Sequence, residues 1–427
     1  MKCCTALRAS LLASLVSCCW LGIAHADNWP QWRGPDNNGI CKETNLPAEW
    51  SAAKNIAWKL ALPGMGGSTP AVWADRIFLT SEDGNDIELL CIGTDGRLMW
   101  KQKLATDRKR FRGDEGNQAS PSPSTDGKQV YAFTGTGDFG CFDFEGKQIW
   151  RFNAQERYGN FRIQHGMHTT PLLHGDRLYL ALLHAGGMWV IALDKATGKE
   201  LWKVPRPTDG RGEGEHSYAS PCLWHNGNEE YLVVHGCDYA TAHRLSDGGE
   251  IWRLGDLNPK SHYDRSLRFV ASPVAVADLI VVPTAKNGAI VAVKPDAKGA
   301  IAAGSPFELW RKPHNTPDVP SPLVHNGLLY LCSERGVLSC LDAKTGTEHY
   351  QERLHSARYR ASPVYADGKI YCTARDGTVT VVQAGPTFQL LAVNALPDQI
   401  AASPAISNGR IYLRGFDALY AVGPPAK

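Results

Sequence analysis

Apolar positions along the chain fall in short alternating runs of about four to six residues, the period expected of half-buried strands. Arg177-Leu178-Tyr179-Leu180, Leu328-Leu329-Tyr330-Leu331 and Lys369-Ile370-Tyr371-Cys372 are three such runs. Turn pairs such as Asp367-Gly368 and Asn408-Gly409 separate them. Helical periodicity is nearly absent. The pattern predicts an all-β chain of antiparallel strands joined by tight turns.

The runs are organised by an internal repeat. A small hydroxyl residue followed by proline recurs at Thr69-Pro70, Ser120-Pro121, Thr170-Pro171, Ser220-Pro221, Ser272-Pro273, Ser321-Pro322, Ser362-Pro363 and Ser403-Pro404. Successive prolines lie 51, 50, 50, 52, 49, 41 and 41 residues apart. Each pair opens a copy of four strands, and the fourth strand carries Trp100, Trp150, Trp202, Trp252 or Trp310, with Tyr350 in the sixth copy. A four-stranded unit repeated at a period of roughly 40–50 residues predicts a β-propeller. The eighth copy has room for only three strands before Lys427, while the strand around Trp58 precedes the first copy. That strand is expected to complete the last blade and close the ring, leaving no exposed sheet edge at the seam. The expectation is eight blades over residues 55–423, with seven as the alternative. Residues 1–26 read as a signal peptide, 27–54 as an N-terminal arm and 424–427 as a tail.

Charge changes the picture little. There are 45 Lys+Arg against 43 Asp+Glu. The first 26 residues hold Lys2 and Arg8 and no acid, so the rest is balanced, which argues against a nucleic-acid partner. The leader has an apolar stretch from Leu11 to Ile23 and an Ala24-His25-Ala26 cleavage site. It is too short to span a membrane, and no later segment is long enough. Export to the periplasm or the cell exterior is expected. Leu15-Val16-Ser17-Cys18 offers a second reading as a lipoprotein signal with Cys18 lipidated. Eight cysteines follow the leader, without metal spacing, and are read mostly as buried thiols.

The third copy reads Ala192-Leu193-Asp194-Lys195-Ala196-Thr197-Gly198-Lys199-Glu200-Leu201-Trp202. It resembles the A-x-D-x-x-T-G-K-x-x-W repeat of pyrroloquinoline-quinone (PQQ)-type propellers, and Cys340 to Tyr350 is a near match. Trp29-Pro30-Gln31-Trp32-Arg33-Gly34-Pro35 is similar to the start of exported bacterial proteins with such repeats. The resemblance implies that Thr-Gly turns the chain into the outer strand and that Trp packs on a neighbouring blade. That family includes PQQ-dependent dehydrogenases and also non-catalytic propellers, such as the lipoprotein scaffold of the outer-membrane barrel-assembly machine. Fold alone does not choose between them. Its enzymes carry a vicinal disulfide, an Asp base and Glu-Asn-Asp calcium ligands. Here the Cys-Cys pairs are Cys3-Cys4 and Cys18-Cys19, inside the leader. The preferred reading is therefore a non-catalytic platform for a protein or glycan partner in the cell envelope, with no cofactor. The alternative is a PQQ- and Ca²⁺-dependent dehydrogenase acting on an alcohol or sugar.

Loop length marks the face that carries a site. From the outer-strand aromatic to the next repeat proline, copies one to four take 21, 21, 19 and 21 residues, against 12 and 13 after Trp310 and Tyr350. Long loops in compact domains are usually functional. These hold the candidate partner residues His165, His168, His216, Tyr218, His262, Arg265 and Arg268, with Arg360 before a later strand. Asp114, Glu215 and Asp264 are the candidate bases if the chain is an enzyme. Hairpin turns on the same face hold His184, His235, Lys286, Arg335, Arg375 and Arg414. A ring of them at the channel mouth would focus a positive potential suited to a carboxylate or phosphate. Gly135 to Gly140 fits G-x-G-x-x-G, but the strand that follows makes it a hairpin turn. No metal site is expected: His165-Gly166-Met167-His168 lacks a third ligand, and Asp36 to Pro47 lacks the final Glu of a calcium loop.

Overall fold

The computed structural model describes residues 28–51, 54–106, 117–284, 288–314 and 316–424. Its strands form eight antiparallel sheets in a ring, one per repeat, so the eight-bladed reading holds and the seven-bladed one does not. The closing strand Ile56–Ala61 pairs antiparallel with Ala418–Val422, matching Lys59 with Tyr420. Each blade runs from an inner strand at the channel to an outer strand at the rim. One blade departs from four strands. In the fourth, Gly299–Ile301, from an insertion of the fifth repeat, adds in parallel to the outer strand Glu250–Leu254.

The hydroxyl-proline pair explains how neighbouring blades are held at a fixed spacing. The backbone N–H of Thr170 donates to Ser220 Oγ at 2.9 Å, Ser220 N–H to Ser272 Oγ at 2.9 Å, and Ser272 N–H to Ser321 Oγ at 2.9 Å. Ser321 continues to Ser362 and Ser362 to Ser403. On the other side Thr69 donates to Ser122, and Ser122 to Thr170. Seven bonds thus make a belt around the channel from blade one to blade eight. The belt also corrects the register of copy two. The structural equivalent of the repeat pair there is Ser122-Pro123, two residues beyond Ser120-Pro121, because only Ser122 both accepts from blade one and donates to blade three.

At the rim a second latch recurs. Trp150 Nε1 donates to the Lys195 carbonyl of the next blade at 2.9 Å. Trp58, Trp100, Trp202 and Trp310 do the same toward Thr94, Phe144, Leu245 and Ala343. Under the Trp150 ring lies Gly198 at φ +66°, where an added Cβ would sit 2.7 Å from the indole. Both the left-handed backbone and the ring contact therefore demand glycine. Asp194 fixes that turn by accepting from the Thr197 N–H at 2.8 Å and from its hydroxyl at 2.6 Å. Trp252 differs. It is fully buried beneath the added fifth strand and turns its N–H to Tyr231 Oη at 3.4 Å.

The N-terminal arm crosses the channel at the end opposite the long loops. Trp29 bridges to Val72 of blade one, and the Pro30 carbonyl accepts from Thr125 of blade two. Gln31 Oε1 accepts from Leu173 of blade three. Arg33, fully buried, donates to the carbonyls of Pro322 and Pro363 in blades six and seven. The arm then pairs with Tyr365, and Glu43 accepts from Asn408 and Gly409 of blade eight. One short segment thus ties opposite sides of the ring together.

Three turn residues expected at the channel mouth are core residues instead. His184 and Arg414 are 0% exposed and His235 is 1% exposed. The long loops fold back over these turns: Phe161 packs edge-on against His184 with ring centroids 5.2 Å apart, and Phe269 against His235 at 5.1 Å. Arg414 donates to the Gly64 and Gly66 carbonyls between the closing strand and blade one. Burial holds both imidazoles neutral, pushing His184 down to about 4 and His235 to about 3. His243, hydrogen-bonded to the Gly248 carbonyl, also falls to about 4 through burial. All eight cysteines of the described residues are buried free thiols. A Cys332–Cys340 bridge, which the sequence leaves open across this hairpin, is not formed: Cys332 pairs with Leu338 and Cys340 with Tyr330.

Two outcomes follow from this packing. Trp150→Ala removes the rim latch and leaves a void over Gly198, and should destabilise the protein by about 3 kcal/mol in urea unfolding. An unchanged midpoint would contradict the latch. The three histidines are depressed below 6.5, so between pH 6.5 and about 4 the unfolded chain binds protons that the folded chain does not. Stability should fall as pH is lowered through this window, with a limiting slope of about 4 kcal/mol per pH unit. Urea midpoints at a series of pH values measure it, and a flat profile would contradict the burial of these rings.

Candidate functional site: a one-ended well on the long-loop face

The belt, the arm and the long loops together enclose a cavity of about 180 Å³ on the propeller axis. The repeat residues Thr69, Ser120, Thr170, Ser220, Ser272, Ser321, Ser362 and Ser403 all line it, with Ser122. Trp32 of the arm closes one end. Around the open end stand His165, His168, Tyr218, Arg268, Arg360 and Arg375. The channel is therefore a well that opens on the face where the loops are longest.

The rim side chains are held by their neighbours. Arg268 Nη2 lies 2.8 Å from Asp318, and Arg360 Nη1 lies 3.1 Å from Glu334. Burial raises the Glu334 carboxyl, and the adjacent Asp318 adds to the shift against the pull of Arg360. Arg375 lies 4.4 Å over the Phe416 ring and directs Nε to Gln399 at 3.4 Å. His168 Nε2 bonds the His165 carbonyl at 2.8 Å, and both imidazoles pack against Tyr218 at about 6 Å. Burial lowers the His168 pKa. The two histidines thus make a packed pair, one bonded to the backbone of the other. Among the described residues no group of three or more His, Cys, Asp or Glu is placed to hold a metal ion.

The third and fourth long loops are pinned by Asp238 in a hairpin turn of blade four. Asp238, 2% exposed, accepts from Tyr263 Oη at 2.6 Å, Asn258 Nδ2 at 3.2 Å and Lys260 Nζ at 3.4 Å. Tyr263 Oη in turn accepts from the Arg211 N–H at 2.8 Å. These loops form a fixed surface beside the well.

The structure brings together His165, His168, Tyr218, Arg268, Arg360 and Arg375 from five different loops and turns. The other candidates lie elsewhere. His216 is half-buried beside the rim, while His262, Asp264 and Arg265 are exposed on the fourth loop. Asp264 accepts from Ser266 N–H and Oγ, and Glu215 from Gly212 N–H, so both carboxylates stabilise their own loops. Arg335 is exposed, and its carbonyl accepts from Arg353. Asp114 and Lys286 lie outside the described residues. A ring of six basic turn residues is therefore not formed. Sequence reasoning missed the lining role of the repeat hydroxyls and of Trp32. The signal was present: every copy places a hydroxyl side chain before the proline.

A family model described as "Outer membrane protein assembly factor BamB" matches residues 48–146, 143–303 and 297–385. A BamB of Escherichia coli K12 is 36% identical over 59 residues, 14% of this chain and 15% of that protein. BamB from Moraxella catarrhalis superposes with a TM-score of 0.61 at 14% identity, covering 86% of this chain and 96% of that one. Quinohemoprotein alcohol dehydrogenase from Comamonas testosteroni superposes with a TM-score of 0.69 at 13% identity, covering 94% and 81%. The two superpositions show the propeller fold that platforms and enzymes share. The family match spans most of the repeats, and by it the chain belongs to the PQQ-like repeat propellers of the outer membrane protein assembly factor BamB family.

Proposed function

We propose that the protein is an exported, non-catalytic platform of the cell envelope that receives a partner protein on the face around the well. The observation that carries this reading is the asymmetry of the ring. One end of the channel is covered by the arm, while beside the other stand long loops rich in Tyr, His and Arg, two of them pinned at Asp238, residue types that suit interfaces. Membership in a family described as an outer-membrane assembly factor supports the envelope setting, as does the leader read from the sequence. Among the described residues no helix is long and apolar enough to cross a membrane. Residue Cys18, the alternative lipid attachment point, lies outside the described residues.

The likeness to the alcohol dehydrogenase fold favours a second reading, a quinone enzyme. At about 180 Å³ the cavity is smaller than the roughly 300–1,000 Å³ of most cofactor pockets. Its described lining has Arg and hydroxyl donors for the carboxylates of a quinone but no carboxylate to ligate calcium. The buried cysteines at Cys91, Cys141 and Cys340 sit in register with the outer-strand Trp100, Trp150 and Tyr350, and none lines the cavity. The described lining therefore supports the platform reading over a quinone–calcium centre.

Photo-crosslinking in the source cells tests the platform. A photoreactive residue at exposed His262 or Arg265 should trap a discrete envelope protein, and one at exposed Asn228, on the opposite face, should not. Equal adducts from both faces, or none, would contradict the assignment. Saturating PQQ with Ca²⁺ should leave the melting temperature unchanged. A rise, with dye-linked alcohol oxidation, would replace the platform by the enzyme.

A further inference from the structure

A second cavity lies at the end of the ring opposite the long loops, between the turn of the N-terminal arm and the hairpin ends of blades three and four. Its volume of about 350 Å³ falls within the roughly 300–1,000 Å³ of small-molecule sites. Gln31 fixes the arm there, its Oε1 accepting from the Leu173 N–H at 3.1 Å. His174 ties blade three to blade four, with Nε2 at 2.9 Å from Glu230. Asn226 Oδ1 accepts from the N–H groups of Asn228 and Glu229, each at 2.9 Å, and so sets the hairpin that carries Glu229. Leu172, Leu173 and Leu223 supply the apolar part of the wall, and Asp36, Glu229 and Glu230 the acidic part. Asp36 and Glu229 are exposed, and neither carboxylate has a hydrogen-bond or ion-pair partner among the described residues. A further acceptor lies deeper. Asn37 lines the cavity and is 9% exposed. Its Nδ2 donates to the Trp32 carbonyl at 2.9 Å, while its Oδ1 is buried without a partner among the described residues. A buried acceptor left unmade is costly, and a ligand donor seated beside it removes that cost.

We propose that this cavity binds a small free organic amine, its ammonium groups held by Asp36, Glu229 and Asn37 Oδ1 and its alkyl chain laid on the three leucines. The wall selects that class. An ammonium has three N–H donors and no acceptor, the complement of two unpaired carboxylates and an amide oxygen. The described lining has no Lys or Arg, so an anion meets no counter-charge there. It has no Trp, Tyr or Phe, so a sugar meets no stacking face. Among the described residues no three of His, Cys, Asp or Glu are placed to hold a metal ion. Asp36 stands on the arm and Glu229 on blade four, so an amine with two charged ends can engage both elements. Glu230 is left to His174 and the blade junction. The site is separate from the well and from the platform face.

Calorimetry on the purified chain tests this with cadaverine, a linear diamine. Pentanediol serves as the uncharged chain of equal length, and Mg²⁺ as a bare dication. Saturable binding of the diamine, with none of the diol or of Mg²⁺, is expected. The double variant Asp36→Asn with Glu229→Gln should weaken binding about tenfold, the scale of two exposed charge pairs. Both side chains are exposed, so its melting temperature should match that of the unaltered chain. If the variant fails to fold, the comparison of diamine with diol on the unaltered chain decides alone. A blocked Gly-Lys-Gly peptide should not bind, and affinity equal to the diamine's would overturn the assignment to a free amine. No saturable diamine binding, equal binding of the diol or of Mg²⁺, or unchanged affinity in the folded double variant would overturn the site. A partner trapped from the long-loop face is unaffected by any of these results, so the platform and the amine site fail separately.

Discussion

A hydroxyl oxygen accepting the backbone N–H of the blade before it is the contact on which the ring depends. Two inner strands at a propeller axis present backbone groups that no sheet ladder can pair, because each blade hydrogen-bonds only within itself. Left buried and unmade, such a group costs about 1–3 kcal/mol. The Ser and Thr side chains satisfy it across the junction, seven times in succession. The junction between blades eight and one is held differently, by Arg414 against the Gly64 and Gly66 carbonyls and by the closing strand. A cation in that place has a cost: burial lowers its pKa to about 9. The seam is thus made from the two ends of the chain rather than from the repeat.

The same contact shapes the site. Fixing the hydroxyls at the axis sets a narrow channel with a polar wall, and the arm closes one end of it with Trp32 and Arg33. Arg33 finds backbone carbonyls, not a carboxylate, and burial lowers its pKa to about 10. What remains open is a volume beside the described long loops, of which the third and fourth are anchored by Asp238 and Tyr263. The repeat hydroxyls thus serve as acceptors that join the blades and also line the channel wall. This economy explains why the repeat can be strict at the axis while the loops above it vary.

Much of this was legible in the sequence because it depends on local rules. Strand alternation, Gly and Asn turns and the regular proline spacing gave the blade count, and the stray strand at Trp58 gave the closure. The loop lengths pointed to the open face, and His165, His168, Tyr218, Arg268, Arg360 and Arg375 do meet there. What was not legible depends on three-dimensional packing. Ser120-Pro121-Ser122-Pro123 offers two registers, and only the hydroxyl partners distinguish them. His184, His235 and Arg414 occupy turn positions that read as exposed, yet Phe161, Phe269 and the Gly64–Gly67 segment cover them. The insertion that lays Gly299–Ile301 on blade four, and so buries Trp252, carries no strand-length signal. Residues 27–54 read only as an arm ahead of the repeats, because its passage across the channel depends on partners hundreds of residues away.

Native-state hydrogen exchange tests the ring most directly. The belt N–H groups of Thr69, Ser122, Thr170, Ser220, Ser272, Ser321 and Ser362, and those amides of Ile56–Ala61 that bond Ala418–Val422, should exchange with the same opening free energy as the buried strand Ala418–Val422, because all are released only when the ring opens as a unit. Exchange of the belt amides or of the closing strand at loop-like rates, while the blade interiors stay protected, would show blades that are folded but not joined, and would contradict the account.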